Sequence, residues 1–195
     1  FDALMARLAA LLAPEQIEQR LALANEAVSL AKAMDARPRL CQAYTARIWL
    51  RFVVGDMRGA DRDIEILDAL AQELRLPAHS YTVARFRMCR AAGSGQLPEA
   101  RELLQQVMRL GREAGDGGIA WVVGPIGLFL LSLDATPESI RHGLGAITSQ
   151  AHMEGPTADA FAAHFCMTVD DRAGCAARLE NAVGHGFERI PRNED

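Results

Sequence analysis

Hydrophobic residues recur at intervals of three and four along most of the chain, which is the spacing of one face of an α-helix. Between Glu15 and Met34, for example, Ile17, Leu21 and Val28 follow this spacing. Glycine, proline and short polar stretches separate such runs. No segment shows the alternation of apolar and polar residues that is typical of strands. The pattern therefore predicts an all-α protein.

The breaks between runs divide the chain into successive predicted helices. They are predicted over residues 1–12, 15–34, 39–54, 59 or 60 to 74, 78–92, 98–114, 119–133, 137–152, 157–169 and 173–185. Gly124 and Pro125 interrupt the most apolar run and predict a kink there, because proline lacks the backbone N–H of a regular helix. Residues 186–195 are polar and are predicted to form a loop.

A short turn pattern repeats along the chain. The stretch Gly55–Ala60 reads G-x-x-x-x-A and recurs forty residues later at Gly95–Ala100. Glycine can end the first helix in a left-handed conformation, and the small alanine lets the second helix approach closely. Related turns are predicted at Ala135 and, after a shorter step, at Asp171. The chain therefore looks like one helical hairpin repeated about four times.

A single hairpin cannot bury its own apolar face, so neighbouring hairpins are expected to stack and share a core. The predicted architecture is a right-handed superhelix of about four antiparallel helical hairpins, a tetratricopeptide-like α-solenoid. The forty-residue period lies between tetratricopeptide repeats and HEAT-like repeats. We expect a single helical-repeat domain over residues 1–195 and, because the chain begins at Phe1, a fragment of a larger multidomain protein.

Composition and charge narrow the classes of function. Hydrophobic residues make up 50% of the chain, which suffices for a continuous core, and the formal net charge of −4 disfavours direct nucleic-acid binding. The apolar run 119–133 is too short to span a bilayer. No two of the four cysteines form a C-x-x-C, which indicates buried apolar side chains and a cytoplasmic location. They are Cys41, Cys89, Cys166 and Cys175.

The sequence contains no motif that would support catalysis. A phosphate-binding loop needs a lysine after its glycines, and the only lysine, Lys32, lies in the middle of a predicted helix. Neither a G-x-S-x-G nor an H-E-x-x-H motif occurs. The spacing of His164, Cys166, Cys175 and His185 matches no established zinc site. We therefore expect no enzyme activity, no cofactor and no bound metal.

Two charged clusters lie in neighbouring predicted helices. The acidic one comprises Asp61, Asp63, Glu65 and Asp68. We interpret it as a solvated face near a helix N-terminus, where negative charge is favourable, rather than as an acid/base pair. The basic one comprises Arg85, Arg87 and Arg90. It too is interpreted as a solvated face, with contact to an acidic partner or a phosphate as the alternative.

Three stretches resemble the helical-repeat region of large bacterial signalling ATPases: residues 27–32 (AVSLAK), 96–104 (QLPEARELL) and 179–192 (LENAVGHGFERIPR). The likeness covers most of residues 24–192. Proteins of this kind place an AAA-like or STAND ATPase module before a tetratricopeptide-like array. Some carry an N-terminal adenylate/guanylate cyclase domain, and others a C-terminal LuxR-type DNA-binding domain. None of those signatures occurs in this sequence.

The resemblance implies a non-catalytic scaffold or regulatory array of a signalling or transcription regulator. Its partner would be a protein or peptide, or a linked ATPase, cyclase or DNA-binding domain of the same chain. The alternative is that the array senses a small-molecule effector. We expect neither direct nucleic-acid binding nor membrane binding.

In tetratricopeptide arrays the first helix of each hairpin lines the concave face. Transferred through the repeated turns, this geometry predicts a partner or effector groove. Its residues are Gln42, Thr45, Trp49, Thr82, Arg85, Cys89, Val122, Phe129, Phe161 and Phe165. Such a groove suits an amphipathic helix or an extended peptide whose acidic end meets Arg85. The alternative is that Trp49, Phe129 and Phe165 are buried between hairpins.

Overall fold

A computed structural model describes residues 1–11, 13–115, 127, 129–130, 133, 136–148 and 156–183 of the chain. Over these residues the chain forms α-helices, one short 3-10 helix (Pro14–Gln16) and no strand, which confirms the predicted all-α class. The α-helices are α1 (Asp2–Ala10), α2 (Ile17–Ala33), α3 (Arg37–Val53), α4 (Met57–Leu74), α5 (Pro77–Gly93), α6 (Leu97–Glu113), α7 (Pro137–Thr148), α8 (Pro156–Thr168) and α9 (Arg172–Val183).

The central helices follow a period of twenty residues. Helices α3, α4, α5 and α6 begin at Arg37, Met57, Pro77 and Leu97. The residues with a left-handed backbone that follow α2 to α6 keep the same spacing, at Asp35, Arg75 and the three glycines Gly55, Gly95 and Gly115. The forty-residue repeat of the sequence is thus a pair of twenty-residue units, each one helix and its turn.

The turn at Gly55 shows why glycine recurs there. Gly55 has a φ of 78°, a left-handed value that costs a residue without a Cβ little. The N–H of Asp56 donates to the carbonyl of Arg51 at 2.9 Å, which closes the turn and satisfies an otherwise orphan carbonyl of α3. Gly95 has the same φ, so both predicted glycine turns are confirmed.

The alanine of the repeated turn lies in the core, as predicted. Ala60 in α4 and Ala100 in α6 are each 0% exposed. Helix α3 also begins two residues earlier than predicted, and α4 two or three residues earlier. Pro38 is accommodated in the first turn of α3, and the side chain of Asp56 caps α4 by accepting the backbone N–H of Gly59 at 2.9 Å.

The last described turn lies one residue earlier than predicted. Its left-handed residue is Asp170, with a φ of 55°, and the small buried side chain after it is Cys175, whereas Ala176 is exposed. The shift leaves Asp171 at the start of α9, where its carboxylate accepts the backbone N–H of Gly174 at 2.9 Å. The predicted turn at Ala135 and the predicted kink at Gly124–Pro125 lie outside the described residues.

Contacts group the chain into two compact units, Phe1–Arg87 and Met88–Glu194. In the first unit α3 packs against α2 and α4, and the core includes Tyr44, Ile48, Leu67 and Phe86. In the second unit α8 packs against α7 and α9 around a core of Ile140, Phe165 and Val169. The superhelical arrangement and the single domain stay predictions from the repeat. Within the described ranges, no helix has the length and apolar character needed to cross a membrane.

Candidate partner-binding surface

Two of the residues predicted for the groove, Trp49 on α3 and Arg85 on α5, are in contact within the first unit. The guanidinium carbon of Arg85 lies 5.7 Å from the centre of the Trp49 ring. At this distance the cation is attracted to the electron-rich face of the ring. Trp49 remains 39% exposed, although burial of a tryptophan ring stabilises a folded protein. We call the exposed parts of these two side chains the Trp49–Arg85 surface.

Further aromatic rings contact the two side chains of this surface. The Arg85 guanidinium also lies 5.6 Å from the Tyr81 ring and 5.7 Å from the Phe86 ring. Phe86 is fully buried, and its ring meets that of Trp49 edge to face at 5.2 Å. Phe52 completes the cluster at 6.0 Å from both of those rings. Edge-to-face contacts of this kind each contribute about 0.5–1.5 kcal/mol beyond the area that they bury, so they favour the observed orientation of Trp49 although it is exposed.

The charges on the two helices are one-sided. Helix α3 contains four arginines and α5 contains three, and neither contains an aspartate or a glutamate. The carboxylates that neutralise the α3 arginines come from other segments. The pairs are Arg37 with Glu73, Arg39 with Asp2, Arg47 with Asp63, and Arg51 with Asp56.

Arg85 differs from these arginines because, among the described residues, no carboxylate pairs with it. Its Nε is buried and has no hydrogen-bond partner. Among the described residues, its positive charge lies near three aromatic rings, which attract a cation but do not accept its N–H groups as a carboxylate would. The terminal amino groups of Arg85 are therefore the donors that a ligand could use.

Arg87, two residues later, is neutralised by α4. Its guanidinium lies 2.9 Å from a carboxylate oxygen of Asp68 and 3.2 Å from one of Glu65. Burial by itself lowers the pKa of Arg87, but the hydrogen bonds and charges of Asp68 and Glu65 outweigh it and raise the pKa. Because residues two apart on a helix do not face the same way, Arg87 holds α5 to α4 while Arg85 faces the rings.

The acidic cluster of α4 is only in part the solvated face that the sequence predicted. That interpretation is wrong for Asp63, which is 2% exposed. Its two carboxylate oxygens accept hydrogen bonds from Nε and a terminal nitrogen of Arg47, both at 2.7 Å. Nε of Arg51 lies 3.2 Å from one of the same oxygens, and Asn25 of α2 accepts another bond from Arg47 at 3.1 Å. This network ties α2, α3 and α4 together and so sets the position of α3.

The other residues predicted for the groove on α3 and α5 are all exposed or half-buried. Gln42 is exposed and Thr45 is half-buried, at the same-face spacing from Trp49. Thr82 is half-buried, and its hydroxyl donates to the carbonyl of Ala78 at 2.9 Å. Cys89 is half-buried and belongs to the second unit.

The predicted aromatic end of the groove has a mixed outcome in the second unit. Phe129 is 50% exposed, but Phe165 is 3% exposed and packs in the core. Phe161 is half-buried, with its ring 4.9 Å from that of Phe165. Val122 lies outside the described residues. For Phe165 the alternative of burial therefore holds. Its ring packs in the core and is not available to a partner.

Sequence reasoning missed the residues that support Arg85, namely Tyr81, Phe86 and Phe52. One signal was available, because Tyr81 precedes Arg85 by four residues and such pairs meet on a helix surface. Phe52 and Phe86 lie on different helices. Only their packing shows that they meet.

The described residues contain no group of three or more histidines, cysteines or carboxylates that could hold a metal ion. Cys41, Cys166 and Cys175 are buried and free, as predicted for small apolar side chains. Burial raises the pKa of the Cys41 thiol. The pKa of Cys166 is raised by burial first and by the charge of Asp171 second. Thiols in such surroundings stay protonated and unreactive.

No family model, curated protein or solved structure matches this chain. The resemblance to the repeat region of bacterial signalling ATPases therefore stays a prediction from the sequence.

Proposed function

We propose that this chain is a non-catalytic, tetratricopeptide-like scaffold or regulatory module that mediates protein–protein interaction within a bacterial signalling or transcription regulator. The observation that carries the proposal is the contact between exposed Trp49 and Arg85, which has no carboxylate partner among the described residues. Tryptophan and arginine are the residue types most enriched among the few that dominate binding energy at protein interfaces.

The rigidity of the surface supports the same proposal. The edge-to-face contacts with Phe52 and Phe86 hold Trp49 in place before any partner arrives. A side chain that is already ordered loses little conformational entropy on binding, and more of the contact energy remains as affinity. The buried Arg47–Asp63 pair contributes indirectly, because it holds α3 against α4.

A selection experiment tests the proposal without a known partner. Short random peptides displayed on phage are selected on the immobilised wild-type chain and then measured against Trp49→Ala and Ile66→Ala. Ile66 on α4 is 41% exposed, close to the value for Trp49, and is a matched control for losing an exposed apolar side chain. Circular dichroism verifies that each variant is folded.

We expect one or a few related peptide sequences to be enriched. Their affinity should fall about tenfold or more with Trp49→Ala, the loss typical of a dominant interface residue, and stay unchanged with Ile66→Ala. The proposal is wrong if no sequence is enriched or if both variants weaken binding equally. Thermal stabilisation by small organic acids or nucleotides, without any enriched peptide, would favour effector sensing instead.

A further inference from the structure

The chemistry of the partner can be inferred from how the arginines of the first unit are paired. Every arginine of α3 lies beside a carboxylate, as does Arg87 of α5. Arg85 instead lies over three aromatic rings. Among the described arginines of α3 and of the first-unit part of α5, Arg85 is thus the one whose N–H groups can donate to a carboxylate of another molecule.

We propose that the Trp49–Arg85 surface binds an acidic peptide segment of a partner protein, in which a carboxylate side chain lies close to an apolar one. This inference rests on the proposed interaction function and specifies its ligand. The carboxylate pairs with the terminal amino groups of Arg85, and the apolar side chain packs on the exposed ring of Trp49.

The geometry of Arg85 favours a carboxylate. A guanidinium is planar, and its N–H groups point outward in that plane and match the two oxygens of a carboxylate. The three aromatic rings lie 5.6 to 5.7 Å from the central carbon of Arg85. Nε is buried, so the ligand must use the two terminal nitrogens. Rings that exclude water around the cation strengthen its attraction to an anion, because the effective dielectric constant there is low.

The apolar part of the ligand is indicated by α3. Val53 follows Trp49 by four residues, so both lie on one face of the helix, and Val53 is 69% exposed. Trp49, which lies beside Arg85, and Val53 form a short apolar strip along α3. One helical turn, about 5.4 Å, separates the two side chains. A peptide with an acidic residue followed by apolar residues one turn apart fits this arrangement.

A nucleic acid fits less well. Binding to a phosphate backbone draws on several uncompensated cations at once. On α3 and the first-unit part of α5, Arg85 alone lacks a carboxylate partner, and the chain carries a net charge of −4.

Three matched pools of fluorescein-labelled amphipathic peptides test the inference. The pools share the same apolar positions and carry glutamate, glutamine or lysine at the polar positions. Binding is measured by fluorescence anisotropy at low and high salt. The proteins are the wild type, Trp49→Ala, Arg85→Gln, Arg85→Lys and Arg62→Gln. Arg62 is an exposed arginine on α4, so Arg62→Gln makes the same charge change away from the surface.

We expect the glutamate pool to bind about tenfold or more tightly than the glutamine pool, as a charge-assisted hydrogen bond predicts. Arg85→Gln should remove that difference, and Arg62→Gln should leave it intact. Arg85→Lys keeps the charge but loses the planar donor pair. It should therefore prefer the glutamate pool over the glutamine pool by less than the wild type does, but by more than Arg85→Gln does. Rising salt should weaken the glutamate pool most.

The possible failures are distinguishable. If the glutamine or lysine pool binds as tightly as the glutamate pool and Trp49→Ala weakens all of them, the acidic ligand is wrong but the interaction module stands. If no pool binds, both proposals are wrong. If a labelled single-stranded oligonucleotide binds more tightly than the glutamate pool and loses affinity with Arg85→Gln, the ligand is a nucleic acid and the inference is overturned. If Arg85→Gln does not fold, Arg85→Lys takes its place: it should reduce the preference for the glutamate pool, whereas Arg62→Gln should not.

Discussion

The buried carboxylate of Asp63 should be the most sensitive charged position in the first unit. We predict that Asp63→Asn lowers the free energy of unfolding by about 3 kcal/mol. Asparagine has nearly the same volume, so the change leaves no cavity and removes only the negative charge and one acceptor. The size of the effect therefore measures what the charge contributes.

The magnitude follows from the surroundings of Asp63. The side chains of Arg47 and Arg51 are only 13% and 16% exposed. Removing one partner of a buried ion pair costs about 3–5 kcal/mol, because it leaves an uncompensated charge in a region of low dielectric constant. Arg51 keeps Asp56, whose carboxylate lies 3.3 Å away, so only Arg47 loses its carboxylate. This places the expected cost near the lower end of the range.

Urea unfolding followed by tryptophan fluorescence provides the assay. A Trp121→Phe background leaves Trp49 as the only tryptophan, so the signal reports on the first unit. Asp2→Asn is the control, because Asp2 also pairs with one arginine, Arg39, but is 81% exposed. An exposed pair contributes about 0–1 kcal/mol, and the control should change stability by no more than that.

A cost for Asp63→Asn below about 1 kcal/mol, or one equal to that of Asp2→Asn, would refute the reasoning. The double variant Arg47→Met, Asp63→Leu adds a second test. It removes both charges and leaves neither uncompensated, so it should recover most of the stability that Asp63→Asn loses. A double variant less stable than Asp63→Asn would show that the packing of the pair, and not its charge balance, is what matters.

Two further predictions concern the turns and the thiols. Gly59→Ala should lower the free energy of unfolding by about 1–2 kcal/mol, because its methyl group would overlap a terminal nitrogen of Arg51 and the Asp56 carboxylate that caps α4. Gly93→Ala, with no atom within 4 Å of the added carbon, should be neutral or slightly stabilising. Because Gly93 lies in the second unit, its urea unfolding is followed by circular dichroism and not by the Trp49 signal. Because burial raises the pKa of the Cys41 and Cys166 thiols above the ordinary value of a cysteine, the folded state keeps protons that the unfolded state releases. The free energy of unfolding should therefore fall as the pH rises through about 8.5, the pKa of an unfolded cysteine, and fall less when both cysteines are alanine; equal pH dependence in the two proteins would contradict this.

The sequence predicted the helices well because each depends mainly on its own residues. The G-x-x-x-x-A turns at Gly55 and Gly95 are local: a glycine at a left-handed position and a small residue five places later mark them. The error of one residue at Asp170 has a local cause too. An aspartate can take the left-handed conformation in place of glycine, and the pattern gave no reason to choose Asp170 over Asp171.

The candidate site was predicted only in part. The spacing on α3 and α5 assigned Trp49 and Arg85 to one groove, and the structure brings these two side chains together. The groove itself stays a prediction. The same transfer placed Phe165 in the groove, although it is buried in the core of the second unit. Helical spacing shows which residues share a face of one helix. It does not show whether a neighbouring helix covers that face.

What the sequence determined by itself is the all-α class, the forty-residue repeat and the positions of most described turns, since hydrophobic spacing and backbone preference act over a few neighbouring residues. Only the tertiary structure decided how the charges pair. Asp63 and Arg47 are sixteen residues apart and Arg85 and Trp49 thirty-six apart, and in each case one residue finds the other on a different helix. The free energy of a charge depends on what packs around it. Arginine is therefore part of a buried ion pair at position 47, whereas at position 85 it has no carboxylate partner among the described residues.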